Sequence, residues 1–134
     1  QEVCSTATAF AVVTSDGSVV TWGLPEAGGN SDAVREQVSS GVFSLCATQS
    51  AFAALRHDGS VVTWGREGTG GDSSGVREQL AGGVSRIFSN ASAFVALKDD
   101  GSVVTLGMPS SGGDSTSVQE QLQGGVQRVC STPA

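Results

Sequence analysis

The sequence CATQSAFAALRHDGSVVTWG, residues 46–65, decides the fold because related copies of it lie on both sides. CSTATAFAVVTSDGSVVTWG begins at Cys4 and FSNASAFVALKDDGSVVTLG begins at Phe88, so the copies start 42 residues apart without insertion or deletion. CSTPA, at Cys130, starts a fourth copy. Self-similarity at a fixed period of this kind is typical of repeat architectures. We therefore expect a single domain over 1–134, with repeats at about 4–45, 46–87 and 88–129 and the start of a fourth at 130–134.

Each repeat is expected to contain a β-hairpin. An Asp-Gly pair lies between two apolar runs at 16–17, 58–59 and 100–101. This pair favours a two-residue type I′ turn, which needs positive φ at both positions. In the first repeat the turn predicts strands near 9–15 and 18–23.

The two-residue turn also predicts which residues lie opposite each other. Opposite residue numbers should sum to 33 in the first repeat, which places Ala11 opposite Trp22 and Phe10 opposite Gly23. The equivalent pairs are Ala53 with Trp64, Phe52 with Gly65, Val95 with Leu106 and Phe94 with Gly107. Leu106, which is smaller than the Trp of the other repeats, then faces Val95, which is larger than their Ala. Close packing requires such a compensation in volume.

A third strand and a short helix complete each predicted repeat. The strand should precede the hairpin at 42–48, 84–90 and 126–132, with a shorter copy at 2–6. A helix of one or two turns is expected around the Val-Arg-Glu-Gln or Val-Gln-Glu-Gln segments, capped at its N-terminus by a preceding polar residue. The capping residues would be Asn30, Asp72 and Asp114. Apolar residues four apart would turn one side of each helix to the sheet; they are Val34 and Val38, Val76 and Leu80, and Val118 and Leu122.

Both faces of each predicted hairpin are mostly apolar. Such strands are usually covered on both sides, as in stacked blades or coils. We therefore expect the repeats to stack on one another.

Charge and hydropathy exclude several classes of function. The net charge is −6 with only seven Lys and Arg, and these form no basic cluster. Nucleic-acid binding requires a cationic surface that displaces counterions, and docking on anionic lipid requires basic clusters. No segment approaches the roughly 18 apolar residues of a membrane helix. The sequence therefore predicts neither a nucleic-acid partner nor insertion into a membrane.

No residue pattern indicates catalysis, a metal or a cofactor. His57 is the only histidine and is expected to be a solvated turn residue opposite Ser60. The turn itself accounts for the three repeated aspartates, because Asp favours the left-handed region and bonds its own backbone. A calcium role for the GGDSS segment is weaker, since no dense carboxylate loop is present. Because the chain also lacks a nucleophile–base pair, we expect a protein that is not an enzyme.

The cysteines and tryptophans are expected to serve packing. Cys4, Cys46 and Cys130 share one repeat position that Phe88 fills in the third repeat, which favours reduced cysteines in a buried apolar slot. A Cys4–Cys130 disulfide and a metal site are the alternatives. Trp22 and Trp64 are expected in the core and not on a sugar-binding surface.

The motif AFAALRHDGSVVTWG, followed after four residues by a Gly-Gly pair, resembles the repeat of the regulator of chromosome condensation family. The matching residues are Phe52, Leu55, Asp58, Gly59, Val61, Trp64, Gly65, Gly70 and Gly71, with counterparts in the neighbouring repeats. The resemblance implies blades of an all-β repeat fold that binds proteins through its loops. This sequence departs from the family in its shorter repeat and in having three blades, whereas the family's propellers have about seven. Closure of a propeller requires roughly four blades or more.

Three architectures are compatible with these blades. The repeats could close into a compact three-sided body with pseudo-threefold symmetry, or form an open arc completed by a partner. A β-trefoil, which also has three units of similar length, is the third.

The functional expectation is a non-enzymatic module for protein–protein interaction or scaffolding, such as a small accessory subunit of a larger assembly. A carbohydrate-binding, lectin-like module is the alternative. The expected partner contacts lie in the Glu-Gln segments and in the loops 24–29, 66–71 and 108–113. They are Glu36, Gln37, Glu78, Gln79, Glu120, Gln121, Pro25, Arg66 and Pro109.

Overall fold

Three antiparallel three-stranded sheets, one per repeat, follow each other along the chain in a computed structural model. The structure describes residues 2–108, 110, 112–113, 115, 118, 121–126 and 128–130. The strands are β1 (Glu2–Ser5), β2 (Ala9–Val13), β3 (Val19–Gly23), β4 (Val42–Ala47), β5 (Ala51–Arg56), β6 (Val61–Gly65), β7 (Val84–Ser89), β8 (Ala93–Lys98) and β9 (Val103–Gly107). The strand orders are β1-β2-β3, β4-β5-β6 and β7-β8-β9. The presence of one separate sheet per repeat confirms the prediction of an all-β array of blades. This arrangement differs from a β-trefoil.

The predicted strand before each hairpin is confirmed in the three repeats as β1, β4 and β7. The fourth, predicted at 126–132, is not formed in its described residues 126 and 128–130; residues 127, 131 and 132 lie outside the described part. The segment does begin like the others, because the Val126 N–H donates to the Gly101 carbonyl at 3.0 Å, as the Val84 N–H does to Gly59 at 2.9 Å. In the first three repeats this strand pairs with the hairpin that follows it.

The predicted type I′ turn is wrong, and the register is shifted by one residue. The Gly17 N–H donates to the Thr14 carbonyl at 3.0 Å, and the Thr14 N–H donates to the Ser18 carbonyl at 2.9 Å. Gly17 has a φ of 81°, whereas no described residue other than glycine has positive φ. This pattern is a three-residue loop in which a type I turn is followed by a left-handed glycine.

The longer loop changes every opposite pair in the hairpin. Trp22 lies opposite Phe10, while Ala11 lies opposite Thr21. The other repeats agree, with Phe52 opposite Trp64 and Phe94 opposite Leu106. The predicted pairs of Ala or Val with Trp or Leu, and of Phe with Gly, are therefore wrong, and so is the compensation argument built on them. Since side chains alternate along a strand, the one-residue shift exchanges the two faces.

The connecting segments form short 3₁₀ helices of three residues, where a helix of one or two turns was predicted. They are Asp32–Val34 and Ser74–Val76, and two unpredicted ones lie at Pro25–Ala27 and Glu67–Thr69. The predicted caps at Asn30 and Asp72 are wrong by one residue, because the N-cap positions are Ser31 and Ser73, neither of which makes a side-chain cap hydrogen bond. The Asn30 Oδ1 still accepts the Asp32 N–H at 2.9 Å from just outside the helix; Asp114 lies outside the described residues. Val38 and Leu80 are buried, as the predicted apolar side requires. None of the helices in the described part of the chain could cross a membrane.

The hydrophobic core lies between sheets and not within any one of them. One cluster joins the first two repeats and includes Ala11, Phe52 and Trp64. A second cluster joins the last two repeats and includes Leu55 and Phe94. The middle sheet is therefore covered on both faces, as predicted. The outward side of the first sheet is exposed, which fits the open arc and not the closed three-sided body.

Candidate functional site

The outward side of the first sheet carries a row of apolar side chains in solvent. β2 and β3 place Phe10 beside Trp22 and Val12 beside Val20, and β1 adds Val3 next to Val12. Opposite residues of an antiparallel pair project to the same side, so these five form one surface, which we call the aromatic face. Phe10, Val20 and Trp22 are 46%, 51% and 50% exposed. The rings of Phe10 and Trp22 stack with centroids 5.6 Å apart and planes 24° apart.

The equivalent surface of the second repeat is buried. Phe52, Trp64 and Val62 are only 0%, 4% and 8% exposed, although the aromatic pair has nearly the same geometry, with centroids 5.5 Å apart. The covering group is the Gly-Gly loop of the first repeat. A Cβ at Gly28 would lie 2.4 Å from the Phe52 ring, and the Trp64 Nε1–H donates to the Gly28 carbonyl at 3.1 Å.

The third repeat is covered in the same way. A Cβ at Gly70 would lie 2.4 Å from the ring of Phe94, and Phe94 is buried. Because no side chain fits between the loop and the ring, glycine is required at Gly28 and Gly70 by close approach as well as by backbone conformation. The joint between repeats therefore consists of an aromatic ring on one repeat and a glycine on the preceding one.

In the third repeat the equivalent glycine, Gly112, has no aromatic ring against it among the described residues. Gly112 has the same φ as Gly28, 102°, but no described atom lies within 4 Å of the position of a Cβ. The loop around it keeps its conformation, since the Gly113 N–H donates to the Met108 carbonyl at 2.9 Å and the hydroxyls of Thr105 and Ser115 bond at 2.8 Å.

The prediction that both tryptophans lie in the core is correct for Trp64 and wrong for Trp22. The two residues occupy equivalent positions in identical VVTWG strands. Trp64 is covered by the preceding repeat, whereas no described repeat precedes Trp22. The aromatic face was missed for this reason: composition marks it as core, and the described residues include no repeat that covers it.

The predicted partner contacts are exposed but do not form one site. Those described are Pro25, Glu36, Gln37, Arg66, Glu78, Gln79 and Gln121, and all of them are exposed. Pro109 and Glu120 lie outside the described residues. Gln37 lines a groove between the first two repeats together with Arg77 and Val62, so it is the member of this set placed beside a joint.

Two of the cysteines lie against the core as predicted, although neither is fully buried. Cys4 and Cys46 are half-buried and pack against the two core clusters. The Cys46 Sγ donates to the Ser89 hydroxyl at 3.1 Å. Cys130 is exposed, so its predicted burial is wrong; no strand is formed in the described residues 128–130 around it.

His57 is an exposed residue of the second turn, as predicted, although the register correction places Arg56 and not His57 opposite Ser60. The His57 ring packs on Phe43 with centroids 5.2 Å apart. Among the described residues, no group of three or more His, Cys, Asp or Glu side chains could hold a metal ion.

The three turn aspartates bind their own turns. The Oδ1 of Asp16 accepts hydrogen bonds from the Thr14 hydroxyl and from both the hydroxyl and the N–H of Ser18. These bonds, the one from Thr14 above all, lower the pKa of Asp16 from 3.8 to about 2. In Asp58 and Asp100 the pKa is also lowered, chiefly by the hydroxyl of the serine two residues later. The turn therefore explains the aspartates, but with glycine and not Asp in the left-handed region.

Comparison with known proteins identifies the fold. No family model matches the chain, and neither does any curated protein. Yeast RCC1 (Prp20), solved bound to Kap60, matches with a TM-score of 0.55 and 14% identity over 79% of this chain and 29% of its own.

Two further solved structures agree. Prp20p from Saccharomyces cerevisiae has a TM-score of 0.56 and 15% identity over 79% of this chain and 30% of its own. Human WBSCR16 has a TM-score of 0.53 and 21% identity over 78% and 34%. The chain spans about a third of the length of these structures. Its fold is therefore an array of three blades of the regulator of chromosome condensation type.

Proposed function

We propose that this chain is a non-enzymatic protein-binding module, such as a small accessory subunit, and that it binds through the aromatic face. The observation that carries the proposal is the exposure of Phe10, Val20 and Trp22, whose counterparts in the second repeat are buried. Contiguous apolar surface of this kind marks sites of protein interaction. The stacked Phe10 and Trp22 rings are the residue types that anchor interfaces.

The structural neighbours support a protein-binding use of this fold. The yeast RCC1 (Prp20) structure was solved bound to Kap60, and the Prp20p structure is described together with binding to Gsp1p and histones. Those partners belong to those proteins. The common element is that blades of this type present surfaces to other proteins.

The predicted contacts in the Glu-Gln segments and hairpin loops are retained as a secondary surface. Gln37 lies beside the joint between repeats, and Pro25 and Arg66 are exposed in equivalent loops. These residues are polar or small, so we expect them to form the rim of an interface.

Isolation of the native protein tests the proposal. The protein is purified from its source without denaturant, its mass is measured in solution, and the exposed side chains are footprinted with hydroxyl radicals. We expect an assembly larger than one chain in which Phe10 and Trp22 are protected and Phe43, also exposed, is modified. A free monomer that turns over a substrate or binds a sugar tightly would contradict the proposal.

A further inference from the structure

The second repeat carries an exposed ring on the side of the array where the hairpin turns lie. This ring belongs to Phe43 in β4, which is 58% exposed. We infer that Phe43 is the centre of a second protein-binding site, which takes a segment rich in Arg or Lys. A cationic side chain of that segment lies on the Phe43 ring, and carboxylates of the neighbouring turns flank it on both sides. The site is separate from the aromatic face and does not depend on it.

The fold does not require an aromatic residue at this position. The counterpart of Phe43 in the third repeat is Ser85, which is also exposed. The Phe43 ring packs on His57 with centroids 5.2 Å apart, and the counterparts of His57 are Ser15 and Asp99. Rings at both positions therefore occur only in the second repeat. Since the other repeats form the same blade without them, the two rings are available for a contact of their own.

Phe43 and His57 form the wall between two open clefts. One cleft, of about 510 Å³, lies toward the first repeat and is lined by the turn that contains Asp16. The other, of about 330 Å³, lies toward the third repeat and is lined by Asp58 and Asp99. An extended segment that crosses the Phe43 ring therefore passes a carboxylate on each side.

The charge of the two clefts favours a cation. Within the described part of the chain, Asp16 and Asp99 form no ion pair, whereas Asp58 is paired with Arg56 at 3.5 Å. Hydrogen bonds, chiefly the one from the Thr14 hydroxyl, lower the pKa of Asp16 to about 2, so its carboxyl is ionised at neutral pH. The face of an aromatic ring is also negative. The ring and the carboxylates thus attract the same kind of group.

An Arg side chain suits this combination of groups. Its planar guanidinium stacks on an aromatic face, donates to carboxylates at its edge and is more weakly hydrated than an ammonium. Attraction between exposed charges is screened by salt, so we expect the segment to bind reversibly. Phe43 then stays open in an assembly that is held by the aromatic face alone, and becomes covered when the cationic segment is added.

NMR titration of the full chain with an acetylated, amidated hexapeptide of alternating Arg and Gly tests the inference. We expect shifts in the backbone amides of Gly41, Phe43 and His57 and of the turns on both sides, and weaker binding as the salt concentration rises. The control peptide has citrulline in place of Arg, which keeps the shape of the side chain and removes its charge. It should bind about 10-fold more weakly or less.

Three variants separate the contributions of the ring and of the charges. Phe43→Ser places the serine of the third repeat in the second and should weaken peptide binding about 5-fold. Phe43→Leu keeps an apolar side chain without a π-face and should weaken it nearly as much. Asp99→Asn should weaken it about 3-fold. Glu26→Gln is the matched control for the change in charge, because Glu26 is exposed in the 3₁₀ helix at the other end of the hairpin, and it should bind normally.

Several results would overturn the inference. They are the absence of shifts with the Arg peptide at low salt, equal binding of the citrulline peptide, and shifts that lie away from Phe43 and the turns. Normal binding by Phe43→Leu would show an apolar contact and not a cation on a ring, and would overturn it as well. None of these results concerns Phe10 and Trp22, whose protection in the native assembly tests the proposed function separately. Circular dichroism reports that each variant is folded.

Discussion

The first and second repeats carry the same VVTWG strand, yet one Trp is half exposed and the other is buried. Phe10 and Phe52 differ in the same way, although both stack on the Trp of their own repeat. The difference lies in the preceding repeat, which supplies Gly28 to Phe52 and has no described counterpart for Phe10. Burial in this fold is therefore a property of the joint between repeats, and each repeat alone has an unfinished core.

The largest expected difference between the two repeats is in stability. Replacing Phe52 by Ala removes a fully buried ring from the first core cluster and should lower the free energy of unfolding by about 3–5 kcal/mol. Replacing Phe10 by Ala in dilute protein should lower it by about 1 kcal/mol or less, because the ring is half in solvent. Urea denaturation followed by circular dichroism measures both.

If Phe52→Ala does not fold, Phe52→Leu gives a smaller loss and is compared with Phe10→Leu. Equal losses in the free energy of unfolding in either pair of variants would show that the Phe10 and Phe52 rings are equally buried. That result would contradict the exposure of Phe10 in the first repeat.

The repeat length, the three strands of each repeat and the stacking of repeats could all be predicted from the sequence. The 42-residue period indicates the repeat length, the apolar runs before and on both sides of Asp-Gly indicate the three strands, and their two apolar faces indicate the stacking. The register could not be predicted, since Asp-Gly suits a two-residue turn as well as a three-residue loop in which glycine alone has positive φ. The chosen loop uses the serine after the glycine, whose N–H and hydroxyl bond the aspartate, and the repeated DGS is the signal that was available.

The exposed site could not be predicted from residue types, because the same residues are core in one repeat and surface in another. Trp22 and Trp64 share their strand sequence and their aromatic partner. What separates them is the close approach of Gly28 to Phe52, a contact between residues 24 positions apart that no local pattern specifies. The Gly-Gly motif was recognised as a repeat feature, but its role as the seat for the next repeat's ring required the structure.

Alanine substitutions at Gly28 and Gly112 should differ in their effect on stability by less than the two Phe substitutions do, and Gly112 provides the matched control. Gly28 and Gly112 both have a φ of 102°, so alanine at either position should cost about 1–2 kcal/mol in backbone strain. At Gly28 the new Cβ also meets the Phe52 ring, and overpacking should add about 1–3 kcal/mol. Chemical denaturation of Gly28→Ala and Gly112→Ala measures the difference. Equal losses of stability in the two variants would mean that the Phe52 ring does not lie against Gly28.

The smallest expected effect is on stability at acid pH, and it comes from Asp16 in the turn of the first repeat. The pKa of Asp16 is lowered to about 2, mainly by the Thr14 hydroxyl and then by Ser18. Because the folded carboxyl has the lower pKa, its stabilising contribution is complete above the ordinary value of 3.8 and is lost as pH falls from there toward 2. NMR titration of the Asp16 side chain should show the low pKa in the native chain and a higher one in Thr14→Val.

The Asp58 pKa provides the internal control for that titration, since Thr14 does not bond it and its value should not change. An Asp16 carboxyl that titrates near 3.8 in the native chain would exclude the hydrogen-bonded turn.

Quenching of the two tryptophans by acrylamide tests the central claim most directly. Trp22→Phe leaves Trp64 as the only indole, and Trp64→Phe leaves Trp22, with circular dichroism confirming that each variant is folded. In dilute protein we expect Trp22 to be quenched strongly and to emit at long wavelength, while Trp64 is protected and emits at shorter wavelength. Equal quenching of the two indoles in dilute, folded protein would contradict the account that Trp22 is exposed while the equivalent Trp64 is covered by the preceding repeat.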